Sequence, residues 1–182
     1  MSEYCLIATA IGPVGLAWSE VGITRLQLPD NDGASTLARL TKRMKEPVDS
    51  HPPDWLEPVV KQLQHYFAGT KTNLSGIAID LGGATEFFRA IYAETIKVGW
   101  GETITYGELA ARAGSPGAAQ SVGQAMGRNP VPIIVPCHRV LASGHKIGGF
   151  SAPGGTRSKL WLLEMEGVRL SANNPAQHSF AF

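Results

Sequence analysis

Cys137, His138 and Glu166 are the residues of this 182-residue chain whose types suit covalent chemistry. A thiol attacks as its thiolate, and a free cysteine has a pKa of about 8.5, so a nucleophilic Cys137 needs a neighbour that takes its proton. His138 is the adjacent base, and Glu166 can orient and charge-stabilise its ring as the third member of a relay. Neighbours on an extended chain point to opposite faces, so His138 is expected to reach the sulfur through a bridging water. The plainer reading of a Cys-His pair is a buried core cysteine beside a surface histidine, and the dipeptide alone favours that reading.

The elements around Cys137 speak for chemistry. Pro130, Pro132 and Pro136 fix φ at three of the seven positions before it and push their predecessors toward extended backbone. Ile133–Val135 is expected as a short buried strand that delivers Cys137 at the end of a rigid apolar run. Such a scaffold suits a nucleophile that must be held on its line of attack. Upstream, Thr105-Tyr106-Gly107-Glu108 is a capping box, opening a helix that ends at Gly114. Ser115-Pro116 is expected to open the next helix, with serine as cap and proline at the first helical position, running to about Met126. Two short helices with a tight glycine-containing turn make a helix-turn-helix. The second is thin and carries no acidic residue, so its backbone can approach a polyanion closely.

The first half of the chain is organised differently. Tyr4–Ala10, Gly15–Ser19 and Ile23–Leu28 read as a strand meander broken by turn residues. Helices are expected over Ala34–Lys45 and over Asp54–Ala68, the second with an aspartate cap and Gly69 as a left-handed end. Glu46–Pro58 reads as a surface loop running into that helix, and Leu74–Leu81 as a further strand. Thr85–Val98 is a helix with Phe88, Ile91, Thr95 and Val98 on one face. The expected fold is an α/β N-terminal domain on a small antiparallel sheet over residues 1–83. A mainly α, winged-helix-like C-terminal domain over 84–170 carries the helix-turn-helix, and 171–182 form a flexible tail.

Composition bounds the partners. Hydrophobic residues at 43% and charged residues at 17% allow a packed core and argue against a disordered chain. No apolar run approaches the roughly 20 residues that span a bilayer. The N-terminus lacks a basic stretch ahead of its apolar residues, so a cytoplasmic protein, monomeric by default, is expected. Two cysteines make no disulfide scaffold, and neither has a partner at metal-ligand spacing, so no structural metal is expected. Between Glu108 and Leu160, Arg112, Arg128, Arg139, Lys146, Arg157 and Lys159 face Glu108 alone, a balance of +5 that fits a polyanion footprint as well as an ordinary solvated surface.

Pro136-Cys137-His138-Arg139-Val140, with Asn129-Pro130 upstream, resembles the active-site signature of the O6-alkylguanine-DNA alkyltransferases. The likeness runs from about Phe87 to Leu170 and includes Val98-Gly99-Trp100-Gly101-Glu102, Thr105-Tyr106, and Trp161-Leu162-Leu163 before Glu166-Gly167. The resemblance implies irreversible transfer of an alkyl group from O6-alkylguanine, and from O4-alkylthymine, in double-stranded DNA to Cys137, once per molecule and without a cofactor. It implies His138 as water-linked base with Glu166 behind it, and Asn129 pinning the turn beside the nucleophile. Tyr106 would donate to N3 of the flipped guanine. The backbone at Cys137 and Val140 would accept from its amino group, and the amide of Ser151 would bond O6. The thin helix would enter the minor groove, with Gly107, Ser115, Arg128 and Ser143 at other DNA-contacting positions. Gln120 stands where the family usually has an intercalating arginine, which implies weaker base extrusion and a shallower salt dependence. Phe150 replaces a common tyrosine at the pocket. Against this stand a lesion sensor that binds without chemistry and a cysteine hydrolase. Retention of the alkyl group on the protein separates both from the transferase.

Overall fold

The computed structural model describes residues 2–170, so the expected tail over 171–182 lies outside the described residues. The chain divides into two compact units, one reaching to Gly82 and one starting at Gly83.

The first unit is built on a four-stranded sheet of order β3-β2-β1-β4. β1 (Ser2–Thr9), β2 (Gly12–Trp18) and β3 (Ile23–Gln27) form the antiparallel meander, with Cys5 opposite Leu16 and Ile7 opposite Val14. β2 does not alternate. Every residue from Val14 to Trp18 is buried, as a central strand covered on both faces requires. α1 (Gly33–Thr41) lies so close to this strand that a Cβ on Gly15 would sit 2.9 Å from Leu40 Cδ2. The helix stops four residues short of Lys45. Its start is set by Asp32, whose carboxylate accepts from the Ser35 amide at 2.7 Å.

The expected loop after α1 contains β4 (Pro47–Asp49), which pairs with β1 in parallel and makes the sheet mixed. α2 (Glu57–Phe67) follows a single 3-10 turn over Asp54–Leu56 whose cap is Pro53, so the expected aspartate cap does not form. Val59, Leu63, Tyr66 and Phe67 make its buried stripe, and Gly69 (φ 82°) ends it in the left-handed conformation. Leu74–Leu81 is not a strand. It turns on an Ile77-to-Leu74 backbone bond, and Ile79 alone bridges to Ile23. Cys5 is buried in this unit, where desolvation and the Asp49 carboxylate push its thiol up to about 11.

The second unit is mainly helical. α3 (Glu86–Ile96) is capped by Thr85 and buries Ile91, Tyr92 and Thr95. β5 (Ile104–Thr105) leads straight into α4 (Tyr106–Arg112), where Thr105 and Glu108 form the complete capping box. α5 (Ala119–Gly127) packs against α4 and buries Val122, Ala125 and Met126. It starts later than expected. Ser115 makes no cap, because Gly114 and Gly117 take left-handed φ values of 73° and 87° and hold the intervening chain in a turn. β6 (Val140–Leu141) pairs in parallel with β5, placing Thr105 opposite Leu141. α6 (Thr156–Met165) closes the unit, with Leu160, Leu162 and Leu163 buried. Among the described residues no helix is long and apolar enough to cross a membrane.

Candidate active site

Cys137 sits at the start of a 3-10 turn, Cys137–Arg139, rather than at the end of a strand. The expected strand over Ile133–Val135 is replaced by a knotted loop. Ile133 holds a left-handed φ of 75°, a conformation that β-branched residues resist. Asn129 imposes it from both sides: its Nδ2 donates to the Val135 carbonyl at 2.8 Å, and its Oδ1 accepts from the Val131 amide at 3.0 Å. Val135 also donates back to the Val131 carbonyl at 2.9 Å. Pro136 then takes φ −78°, ψ 65°, an inverse γ-turn closed by the Cys137 amide on the Val135 carbonyl at 2.8 Å. Prolines and Asn129 together thus deliver the thiol by tight turns, not by extension.

Each group around the sulfur pulls on its proton. Cys137 is 5% exposed, and burial pushes its pKa up. A hydrogen bond from Asn129, the Lys159 ammonium and the amides of Cys137 and His138 oppose this. His138 is fully buried, and its Nε2 lies 2.8 Å from Glu166 Oε1. An ionised carboxylate only accepts, so Nε2 carries the hydrogen and Nδ1 is the basic nitrogen. Burial holds His138 below the usual imidazole range, although Glu166 works in the other direction. Burial would raise Glu166, but its bonds from His138 and Arg139 prevail and hold it at about 2.

Lys159 is the functional residue that the sequence reading passed over. It is fully buried on α6; its Nζ donates to the Val140 carbonyl at 2.6 Å and approaches the Gly149 carbonyl at 3.3 Å. It also lies 5.9 Å from the Tyr106 ring centroid. Desolvation lowers its pKa to about 8, with Cys137 acting to raise it. Its signal was present in the sequence: Lys159 stands three and four residues before Leu162 and Leu163, on the face those leucines bury.

A cavity of about 250 Å³ opens over the sulfur, lined by Tyr106, Met126, Cys137, Phe150, Ser151 and the glycines at 123, 127 and 149. The β5–β6 ladder brings Tyr106 to the nucleophile, since it fixes the start of α4 against the residues that follow the cysteine turn. Gly148 (φ 64°) lets the next loop lie against the Tyr106 ring, where its Cβ would be 3.6 Å from Cε2. Val140 does not line the cavity, and its carbonyl is already engaged by Lys159. The carbonyl of Cys137 accepts from the Val140 amide. Gly107, Gln120, Arg128 and Ser143 are exposed and Ser115 half-exposed, all outside the cavity lining. Arg128 rests 6.0 Å from the Phe88 ring centroid. Of the basic segment, Arg139 and Lys159 are buried, so Arg112, Arg128, Lys146 and Arg157 alone form a surface footprint. Among the described residues no cluster of His, Cys, Asp or Glu is placed to hold a metal.

Comparison with known proteins decides the lineage. Residues 3–81 match the ribonuclease-like domain of 6-O-methylguanine DNA methyltransferase, and residues 86–168 its DNA binding domain. The methylated-DNA–protein-cysteine methyltransferase of Mycobacterium tuberculosis is 37% identical over 176 residues, covering 95% of this chain and 97% of that protein. The chain belongs to the methylated-DNA–protein-cysteine methyltransferase family. Among solved structures of this family, Mycobacterium tuberculosis OGT in complex with DNA superposes with a TM-score of 0.73 at 35% identity, covering 90% of this chain and 92% of that one. The O6-methylguanine-DNA methyltransferase of Pyrococcus kodakaraensis gives a TM-score of 0.69 at 29% identity, covering 92% and 100%. Both family domains are therefore present in one chain, and Cys137, His138 and Glu166 all lie within the second.

Proposed function

We propose that this protein repairs O6-alkylguanine in double-stranded DNA by moving the alkyl group irreversibly onto Cys137. The observation that carries the reading is the buried Cys137 thiol at a 250 Å³ cavity, in one turn with a His138 bonded to Glu166. The Cys137 thiol is buried at the cavity, out of reach of a base stacked in the duplex, so the guanine enters extruded from the helix. His138 Nδ1 takes the thiol proton through a water. The thiolate attacks the alkyl carbon, the S–C bond forms as the C–O6 bond breaks, and the electron pair passes into the guanine ring. Tyr106 donates to N3 as that charge arrives, and the Ser151 amide holds O6. The thioether has no route back to a thiol, so each molecule acts once. O4-alkylthymine offers the same carbon–oxygen bond to the same sulfur. Asn129 keeps the thiol in place throughout.

The exposed face of α5, with Gln120, Ser121 and Gln124, enters the minor groove, flanked by Arg112 and Arg128. Gly107, Ser115 and Ser143 meet the backbone, and Phe150 walls the alkyl end of the pocket. A reactive thiol must stay reduced to work, which supports a cytoplasmic location. Gln120 supplies hydrogen bonds but no charge to the vacated base stack. A Gln120→Arg variant is expected to bind DNA with a salt slope steeper by about 0.9 and to transfer faster at low salt. Binding isotherms across a salt series, with single-turnover rates, check both.

Intact-protein mass spectrometry after mixing with a duplex that carries one O6-methylguanine tests the function. The expected result is a gain of one methyl group, saturating at one equivalent and mapping to the peptide of Cys137. Tight binding without a mass gain would instead assign a lesion sensor, and repeated turnover without a retained group a hydrolase.

A further inference from the structure

Glu166 serves two partners. Its Oε1 accepts from His138 Nε2 and from Arg139 Nη2, both at 2.8 Å, and its Oε2 accepts from Arg139 Nε at 2.8 Å. Arg139 Nη1 donates to the Val98 carbonyl at 2.6 Å, which locks the guanidinium in plane with the carboxylate. His138, Arg139 and Glu166 are all buried, so their charges act on one another with little solvent screening.

A buried imidazole beside an uncompensated carboxylate gains a proton readily, and a protonated His138 cannot accept one from Cys137. Here the carboxylate is already neutralised by a bidentate arginine. A proton on His138 Nδ1 would put a second cation on the same carboxylate, with the Lys159 ammonium as a third nearby charge. The charged and titratable groups bearing on His138 are Glu166 and Lys159 from α6, with Cys137 and Arg139 from its own turn.

We infer that Arg139 is a positioning residue for alkyl transfer: by occupying both oxygens of Glu166, it keeps His138 a neutral base at rest while still letting Glu166 orient the ring. Glu166 fixes which nitrogen is basic, and Arg139 fixes that this nitrogen is empty of a proton before substrate arrives. The same charge arrangement limits how long the proton stays on His138 once the thiol has given it up. It is therefore passed on when guanine leaves and needs a proton. The proton balance closes with one proton leaving Cys137 and one reaching the departing base.

The inference rests on the proposed chemistry at Cys137, and its test has one readout that does not. In the unmodified protein, NMR titration of the His138 ring is expected to show the neutral Nε2–H tautomer throughout about pH 5.5–7.5, roughly one unit either side of the ordinary imidazole midpoint. A midpoint at or above 7 in the wild type overturns the inference whether or not alkyl transfer occurs. In Arg139→Gln the midpoint is expected to rise by at least about one unit. The acid limb of the single-turnover rate should shift up by the same amount, the loss reaching about tenfold one unit below the variant's midpoint and vanishing above it. Arg139→Lys retains the charge and is expected to keep the wild-type midpoint while losing stability. Equal loss of rate at every pH in Arg139→Gln, with His138 titrating as in the wild type, would reduce Arg139 to a structural tie. If Arg139→Gln does not fold, the wild-type titration and the Arg139→Lys profile still decide, because a shifted midpoint in the lysine variant contradicts a role that depends on charge.

Discussion

Replacing Asn129 with alanine is expected to slow alkyl transfer by about 100-fold and to cost roughly 2 kcal/mol of stability. The side chain fills both of its roles in the backbone of the loop, donating to Val135 and accepting from Val131, and it also bonds the Cys137 thiol. The Val135 carbonyl keeps the Cys137 amide as a second partner, so the orphaned group is chiefly the Val131 amide. The larger consequence is positional. Ile133 is held in the left-handed region, a conformation costing about 1–3 kcal/mol that persists only while its surroundings impose it. Without Asn129 the loop relaxes and carries the sulfur off its line of attack. Single-turnover transfer rates and urea unfolding of the same variant check this. A rate within threefold of the wild type would show that the prolines alone hold the turn. Asn129→Asp should be slower still, since it loses the donor and sets an anion beside a developing thiolate.

Lys159→Met should lower the transfer rate at pH 7 by about tenfold or more, through loss of the one buried ammonium that favours the thiolate. Its effect on stability is a matter of pH. In the folded protein Lys159 has a pKa of about 8, against the 10.5 of an unperturbed lysine. Between those values the unfolded chain holds a proton on this lysine that the folded protein has released, so the contribution of Lys159 to stability rises with pH across this window. The rise amounts to about 3 kcal/mol, and below pH 8 the penalty of burying the charge is fully present. The methionine variant lacks this group, so the difference between wild type and variant should rise by that amount from pH 8 to 10.5, while Cys5, whose thiol is held to about 11, lowers the stability of both alike. Chemical denaturation at a series of pH values reads the difference directly. The same slope in wild type and variant would mean that Lys159 remains charged throughout and is better compensated than its neighbours suggest. At neutral pH the variant sheds the desolvation penalty but leaves the Val140 and Gly149 carbonyls without this donor, so the two changes oppose each other. Slower chemistry without a matching loss of stability would be the mark of a residue kept for reaction rather than for folding.

What could be read from the chain beforehand followed the range of the forces involved. The Thr105–Glu108 capping box, the Thr85 helix and the Gly69 terminus depend on residues within a few positions of one another, and the meander of β1–β3 follows from local turns. β4 did not announce itself, because its three residues are all exposed and exist as a strand only through pairing with β1, more than forty positions away. The apolar stretch from Leu74 looked like a strand, but it is tied to the sheet by an isolated Ile79–Ile23 bridge rather than by a ladder. Ser115 had the right chemistry for a cap, yet Gly117 turned the chain before helix could form. At the site, Cys137, His138, Glu166 and Asn129 were legible through a motif, while the extended geometry assumed for them was not. Three prolines suggested extension, but the Asn129 bonds to Val131 and Val135, with the turn at Pro136, fold the chain back instead. Lys159 was hidden by its type, since lysine is almost never fully buried and composition alone assigned it to the surface.

Cys5 gives the chain an unexpected convenience. Its thiol is held to about 11, so at neutral pH it remains protonated and shielded while Cys137 is being consumed. A single polypeptide thus carries a spent-once reactant and a silent internal standard of the same element. Small electrophiles applied after repair is complete would label Cys5 only as often as the N-terminal unit opens. The second increment in mass would then act as a clock for that unit's breathing, recorded in the very spectrum that counts the first.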